Sequence, residues 1–528
     1  MRRSRSWAQW LLVSLALWTL VAGCQWRLAS PPPGAAPGAA ATATPARVAT
    51  AAPTPTLDLT PREIVILHTN DEHGYLDYTE QGGSAIGGAN LAAALWAARG
   101  HDPLAPDSNV LLLSGGDNWT GPAVSTWFAG ESTVEVMNAM GYRASVPGNH
   151  EFDFGQEALR VRLSQAQFPF LAANVFDAAT GILSDLFEPY TIVTVNGVQV
   201  GIIGLALRTT PNSTGAKGVA GLAFGDYEPA LREWAPRVRA AGAQVLVVQT
   251  HACNDELVFL AEAVQDLDIA LLQGGHCHSS MIERAGGTLV SSASSAWRDY
   301  VLTRLTVEPG SGKILASEQT LLDVRASLSG GLPKTPPAVA HLVAKWQERA
   351  ELTLGEEIGY TATGLQQHAP QMHNLLVDAW LWAYPNAQMA ISNTGGFRQG
   401  LDRGVITLKE LVGILPFDNE LIEIEASGNQ ILQALRNAPE ALVLGGAALQ
   451  GNRLVLVDGS VADGETAYRL LITDYLYDNP KYPFGRFDRE PYETSIHWRQ
   501  PAIDWIKAQR TSRERPLEQL LDATVRLP

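Results

Sequence analysis

Ile64-Val65-Ile66-Leu67-His68-Thr69-Asn70-Asp71-Glu72-His73 is the stretch from which the architecture follows. The unbroken apolar run at its start is the pattern of a buried strand, and an Asp-x-His pair sits just past its C-terminal end, where α/β folds place their sites. Alone, such a pair is a common polar loop. The arrangement recurs, however. Val110-Leu111-Leu112-Leu113-Ser114 leads into Gly115 and Gly116, which let the backbone turn sharply, and then into Asp117. Val245-Leu246-Val247-Val248 leads to Thr250-His251, and Ile269-Ala270-Leu271-Leu272 to Gly274-Gly275-His276-Cys277-His278. Gly148-Asn149-His150-Glu151-Phe152-Asp153 lies between them. Packing alone gives no reason for four apolar strands each to end in a Gly-, His- or Asp-bearing loop.

Carboxylate, imidazole and amide oxygen together suit Zn²⁺, Mn²⁺, iron or cobalt rather than Ca²⁺, and the lack of a thiolate cluster argues against a closed structural zinc site. Two such divalent metal ions about 3.5 to 4 Å apart can activate a bridging hydroxide at neutral pH and clamp phosphoryl oxygens during in-line displacement. Hydrolysis of a phosphate ester is the expected reaction. Asp117 is the natural bridging ligand, being a carboxylate in a motif with no competing His. His150 directly follows Asn149 and can reach a phosphoryl or leaving oxygen without being a ligand itself. Asp153 can hold that imidazole in its useful tautomer and favour its charged form, and it also stands where it could cap a helix starting near Gln156.

Asn70-Asp71-Glu72-His73-Gly74, Gly116-Asp117-Asn118-Trp119-Thr120-Gly121, Gly148 to Asp153, Thr250-His251 and Gly274 to His278 resemble the calcineurin-type metallophosphoesterase domain of the 5'-nucleotidase and UDP-sugar hydrolase family. The likeness runs from about Glu63 to Glu490. It implies an α/β chain with a four-layer α/β/β/α catalytic domain followed by a smaller α/β substrate-binding domain. It also implies one metal held by Asp71, His73, Asp117 and His278, and a second held by Asp117, Asn149, His251 and His276. His150 and Asp153 are then the catalytic dyad. Further on, Asn393-Thr394-Gly395-Gly396-Phe397-Arg398 and Leu415-Pro416-Phe417-Asp418-Asn419 resemble the family's C-terminal nucleotide-binding domain. That likeness implies substrate contacts from Asn393 and Arg398 and stacking of a base on Phe417. An Arg in phosphate or ribose contact, and an aromatic face that binds any base, fit these roles physically.

The chain departs from the family pattern twice. Gln366-Gln367-His368 stands where relatives usually carry an Arg, and Asp478-Asn479-Pro480-Lys481-Tyr482-Pro483-Phe484 replaces a Gly-Gly-Asp-Gly-aromatic loop. Phe484 or Tyr482 is then the expected second stacking face, on a loop whose conformation must differ because Pro fixes φ.

Arg2, Arg3 and Arg5 precede an apolar stretch, Trp10 to Val21, that ends in Val21-Ala22-Gly23-Cys24. This is the arrangement of a bacterial secretory signal with a lipobox, so residues 1–24 are expected to direct export, with a lipid anchor on Cys24. Residues 25–60, rich in Pro, Ala and Thr, read as a tether. The expected organisation thereafter is a catalytic domain at 61–330, a connector helix at 331–353 and a substrate-binding domain at 354–528. A formal charge of −16 excludes long nucleic acids as partners, while small nucleotides stay open because metals reverse the local sign. Cys253 and Cys277 are expected as two small buried side chains beside the site rather than as a disulfide.

The resulting expectation is an extracytoplasmic, lipid-anchored 5'-nucleotidase acting on nucleotides or a related small phosphoester. Its alternatives are UDP-sugar hydrolysis, 2',3'-cyclic nucleotide phosphodiester hydrolysis and thiosulfate-ester hydrolysis on the same site. Outside that class stand a metal-stabilised surface binding protein without turnover and a lipoprotein solute receptor.

Overall fold

Alternate side chains of the apolar runs face two different cores, which is why the runs show no polar alternation. The computed structural model describes residues 60–77, 79–81, 84–105, 109–326, 333–438 and 441–527. The export signal with Cys24, and the expected tether as far as residue 59, lie outside the described residues.

In the first half, a four-stranded sheet runs in the order Ile314–Asp323, Asp299–Val307, Arg62–Thr69, Val110–Ser114. A six-stranded sheet runs Met281–Ala285, Thr288–Ser292, Leu271–Gln273, Val245–Thr250, Val198–Leu205, Tyr190–Val195. All four strands read from the sequence are present. Val65 pairs in parallel with Val110, and Val247 with both Leu271 and Ile202. Parallel pairing brings their C-terminal ends, and so the motif loops, to the same edges of the two sheets.

Ile64, Ile66, Leu111 and Leu113 from one sheet meet Val200, Ile202, Val245, Val247 and Leu271 from the other. On the outer face of the first sheet, Val65, Leu67 and Leu112 pack with Leu91 and Trp96 of helix Ala89–Ala98 and with Val134 and Met137 of helix Glu131–Met140. The outer face of the second sheet, with Leu205, Leu246, Val248 and Leu272, carries helices Tyr227–Ala240 and Asn254–Ala263 through Leu231, Val238, Leu257 and Leu260. The result is the four-layer α/β/β/α order. Each fully buried aliphatic side chain contributes roughly 1.5–3 kcal/mol to holding it.

The expected connector is a helix, Pro337–Leu354, and it is packed along its length. Val339, Val343, Trp346 and Ala350 join the outer helical core of the first sheet, and Trp346 Nε1 donates to the Glu135 carboxylate at 2.6 Å. Its last residue, Leu354, meets Ala123 from the first half and Val412 from the second.

The second half is built on a five-stranded mixed sheet in the order Leu442–Gly445, Met389–Asn393, Ala467–Thr473, Glu420–Ser427, Tyr492–His497. One face packs on helices Pro370–Ala383 and Gln500–Gln509 through Leu376, Trp380 and Ile503, the other on helix Gly428–Asn437 through Ile431 and Leu435. Ser427 and Gln430 form a reciprocal capping box that ends strand Glu420–Ser427 and starts the helix. The described residues form one compact unit.

Candidate metal centre

The loops after the strands reach the site by unusual backbone. Asp71, His73, Asp117, His276 and His278 all have positive φ, between 47° and 74°. Non-glycine residues adopt this region rarely, at about 1–2 kcal/mol each, and a fold keeps such strain where side-chain aim matters more than backbone comfort. The first two loops are zipped together by backbone bonds from Asp71 N to Gly116 O (2.8 Å) and from His73 N to Asp117 O (2.9 Å). A Cβ at Gly148 would stand 2.1 Å from Asp117 Oδ1, so only glycine lets the third loop approach.

Three groups of donors result, and one of them, His73, Asp117 and His150, shares a member with each of the other two. Asp71, His73 and His278 form the second, with His278 Nε2 3.2 Å from Asp71 Oδ1 and 3.0 Å from His73 Nε2. Asp117, His251 and His276 form the third, with His251 Nε2 3.0 Å from Asp117 Oδ2. His251 Nε2 is also 4.0 Å from Asp71 Oδ1, so these last two groups adjoin. Among the described residues, Asp71 Oδ1, Asn149 Oδ1 and His251 Nε2 are buried without a hydrogen-bond partner, as expected of atoms that coordinate an ion. The Nδ1 of His73 faces Thr120 O at 3.0 Å and that of His251 faces Gly115 O at 2.7 Å. A carbonyl only accepts, so each Nδ1 carries the proton and each Nε2 presents its lone pair to the site.

The charge state agrees. Burial, and then Arg398, hold His73 well below the usual imidazole range, and burial followed by His251 lowers His276 to about 4. Burial opposes charge on His251, yet Asp117 and then Asp71 raise it to about 10, so a metal ion bound there would take the place of a proton on Nε2. Burial likewise opposes the Asp71 carboxylate, but His278 and His251 hold it down at about 2. Two ionised carboxylates among buried imidazoles make a field that favours positive charge. The donor set fits Zn²⁺, Mn²⁺, Fe²⁺ or Co²⁺.

Glu151, inside the third motif but without a role assigned from sequence, organises the centre. Its carboxylate accepts from the backbone N–H of Asp117 (2.9 Å), Asn118 (2.7 Å) and Gly148 (2.6 Å), tying two ligand loops to one side chain. His150 donates its backbone N–H to Asp117 Oδ1 at 2.8 Å, and its Nδ1 is 2.7 Å from Asp153 Oδ2. Burial works against charge on His150, but Asp153 and Asp117 together raise its pKa. Asp153 does not cap the following helix: Gly155–Gln165 begins after Phe154 without a side-chain cap. Its other oxygen instead accepts from Thr214 Oγ1 at 2.8 Å. Thr214 lies in a loop with no motif, so the sequence carried no signal for it.

The centre opens into a cleft of about 860 Å³ lined by both halves of the chain, with Asp117, Asn149, His150 and His276 on one side and Asn393, Arg398 and Phe417 on the other. Arg398 Nη2 comes within 3.4 Å of His73 Nε2, and its guanidinium lies 5.9 Å from the Phe417 ring centroid. Trp127, Lys217 and Tyr475 also line the cleft and were not picked out from sequence. Phe484 is not a cleft residue. It is fully buried, packed with Tyr482 and Phe487 in the core under the five-stranded sheet, so the expected stacking face on that loop is absent and Tyr475 is the aromatic that this region presents to the cleft. The physical reason is that Pro483 starts a short helical turn, Phe484–Phe487, that directs Phe484 inward.

The two cysteines also differ from expectation. Cys253 and Cys277 are joined as a disulfide across 24 residues, and Cys277 is exposed rather than buried. Proximity decides it: Gly275 N bonds Ala252 O at 3.1 Å, which aligns the two ligand loops and sets the Cα atoms 5.2 Å apart.

Residues 353–479 match the family described as 5'-nucleotidase, C-terminal domain. The chain is 27% identical over 424 residues to a 5'-nucleotidase of Bos taurus, covering 72% of each chain. It is 26% identical over 469 residues to a 5'-nucleotidase of Vibrio cholerae, covering 79% of this chain and 83% of that one. Its fold matches the crystal structure of a 5'-nucleotidase precursor from Thermus thermophilus with a TM-score of 0.71 at 23% identity, over 88% of this chain and 99% of that one.

Proposed function

We propose that this chain belongs to the 5'-nucleotidase family, as the match of residues 353–479 to its C-terminal domain and the likeness to 5'-nucleotidases over most of the length support, and that it is a metal-dependent hydrolase releasing phosphate from nucleotides. The observation that carries the reading is the convergence of seven donors, Asp71, His73, Asp117, Asn149, His251, His276 and His278, with the His150–Asp153 pair beside them. Two divalent ions would be held there, one by Asp71, His73, Asp117 and His278 and the other by Asp117, Asn149, His251 and His276. When bound, such ions supply nucleophile activation at neutral pH and neutralise charge on the phosphoryl oxygens.

The chain's own residues supply the rest. Asp153 and Thr214 hold His150 with its Nδ1 engaged, which leaves Nε2–H free to donate to a phosphoryl or leaving oxygen as charge builds there. Arg398, at the mouth of the centre, binds phosphate or ribose oxygens, and Asn393 orients the sugar. Phe417 offers its face to the base. The division into a catalytic domain at 61–330 and a substrate-binding domain at 354–528, with the helix between them packed on the first, belongs to the same reading. So do export and lipid anchoring at Cys24, for which the basic start, apolar stretch and Val21-Ala22-Gly23-Cys24 are the support.

One feature favours a second reading. Gln366-Gln367-His368 offers no arginine, and Gln367 Nε2 is engaged by Phe397 O at 2.7 Å. The same chemistry on a UDP-sugar, a 2',3'-cyclic nucleotide or a thiosulfate ester needs a different set of anion contacts. The discriminating experiment is product release from AMP, other nucleoside monophosphates, UDP-glucose, a 2',3'-cyclic nucleotide, a thiosulfate ester and an aryl phosphate, with Mn²⁺ or Zn²⁺, with chelator, and with His150→Ala. Metal-dependent release favouring nucleoside monophosphates supports the proposal. Preference for another substrate moves it to the second reading, and no turnover under any metal leaves a binding protein.

A further inference from the structure

His276 and His278 flank Cys277, and both have left-handed backbone, φ 74° and φ 51°. Residues with side chains rarely adopt this conformation, so something must hold the loop in it. On its near side the loop is anchored by Gly275 N to Ala252 O (3.1 Å) and by His276 N to Asp71 Oδ2 (2.8 Å). On its far side the next anchor is Asn254, whose Nδ2 donates to Ser279 O at 3.1 Å and to Ser279 Oγ at 3.0 Å. Between them the His278 side chain is 39% exposed and Cys277 faces solvent, so surrounding side chains do little to fix this stretch. What crosses it is the bond from Cys277 to Cys253, two residues beyond His251. One covalent link thus joins the loops that carry three of the expected ligands.

We propose that the Cys253–Cys277 disulfide is a redox-sensitive clamp on the metal centre, opened by thiol–disulfide exchange with a dithiol and closed again by oxidation. The inference rests on the metal reading of the site. A thiolate of the dithiol attacks the exposed Cys277 Sγ, forming a mixed disulfide and releasing Cys253 as the leaving thiolate. The second thiol of the reagent then displaces Cys277, giving the oxidised dithiol and two cysteine thiols, a transfer of two electrons and two protons. Once free, the His276–His278 loop relaxes toward ordinary backbone and its imidazoles leave their aim. The site formed by Asp71, His73 and His278 is the more affected, because the His278 side chain is 39% exposed and its contacts, with Asp71 Oδ1 at 3.2 Å and His73 Nε2 at 3.0 Å, lie within that site.

The test is equilibrium binding of Mn²⁺ to the full chain, read as the loss of the free Mn²⁺ electron paramagnetic resonance signal. Mn²⁺ is chosen because thiolates do not favour it, so liberated cysteines cannot substitute as ligands. Metal-free oxidised protein is compared with protein reduced by dithiothreitol and desalted without oxygen, with protein reoxidised afterwards, and with the Cys253→Ser/Cys277→Ser double variant. The expected result is at least about tenfold weaker binding at one site after reduction, the scale on which supporting groups around metal ligands act. Reoxidation should restore it, and the double variant should match the reduced protein and ignore the dithiol. Identical isotherms for oxidised and reduced wild type, with two more thiols titrated in the latter than in the former, would overturn the clamp and leave the metal reading intact. Absence of Mn²⁺ binding to the oxidised protein would instead overturn the metal reading, and the clamp with it.

Discussion

The Phe417 ring lies over that of His150, with centroids 5.6 Å apart and planes 24° from parallel. A residue of the second half therefore touches the imidazole proposed to handle the proton in the first, and Trp498 lies 6.4 Å from Phe417 with its ring tilted by 38°. On the proposed function, a base stacked on Phe417 would lie beside the metal donors. Phe417→Ala should raise KM for a nucleoside monophosphate by about tenfold or more, since an aromatic stack is worth roughly 0.5–1.5 kcal/mol beyond the area it buries. For an aryl phosphate too small to span the cleft, the change should be within about twofold. Steady-state kinetics on both substrates checks this, and equal losses on both would remove Phe417 from base recognition.

Asp153 is bonded to His150 and Thr214 at once. Asp153→Asn removes the charge that, with Asp117, outweighs burial and raises the His150 pKa. That pKa should fall, so the alkaline arm of the kcat/KM profile moves to lower pH and activity drops by on the order of 10²-fold. Thr214→Ala, which leaves the carboxylate in place, should cost less and hardly move the profile. A profile unmoved in Asp153→Asn would contradict protonated His150 as the acting form.

Glu151→Gln tests the support of the ligand loops. Burial, and then Asp117, push the Glu151 pKa up to about 7, while the Asn118 donors pull it back. Glutamine offers one acceptor oxygen and turns an N–H toward backbone donors, leaving buried groups unpaired at about 1–3 kcal/mol each. The variant should unfold at lower denaturant concentration and bind metal more weakly, although Glu151 is not a ligand. Unchanged metal affinity in a folded variant would show the loops to be held by other means.

A pH effect on stability follows from His68, which is fully buried in strand Arg62–Thr69 with Nε2 3.0 Å from Gly274 O. Burial lowers its pKa from 6.5 to about 4. The folded chain keeps the ring neutral while the unfolded chain protonates it, so stability is unaffected by this group above about pH 6.5 and falls progressively as pH drops from there to about 4. The full loss is on the order of 3 kcal/mol. His68→Gln preserves a donor to the carbonyl without titrating. In chelated protein, denaturant unfolding at pH 7 and pH 5 should therefore show a smaller acid loss for the variant, and equal losses would assign the effect to other groups.

The ligand loops were legible in the sequence because each needs a fixed residue type directly after an apolar strand. Asp71, Asp117, His251 and His276 could be read from strand ends alone, and the structure brings them together. The apolar run Ile64 to Leu67 showed a buried strand, whereas the four-layer order was implied by the family resemblance. Thr214 could not be read, because its bond to Asp153 spans 61 residues between loops that no periodicity aligns. The inward turn of Phe484 depends on how Pro483 enters a short helix, and whether two cysteines meet depends on loop approach. These are tertiary facts. Residue type constrains them only weakly.

The central claim is that Asp117 serves two metal ions at once, and the most direct measurement of it is metal stoichiometry. Protein saturated with Mn²⁺ and freed of excess should contain two ions per chain by inductively coupled plasma mass spectrometry, His251→Ala should retain one, and Asp117→Ala should lose most of both. A single ion in wild type, or an Asp117→Ala variant that keeps two, would contradict the account.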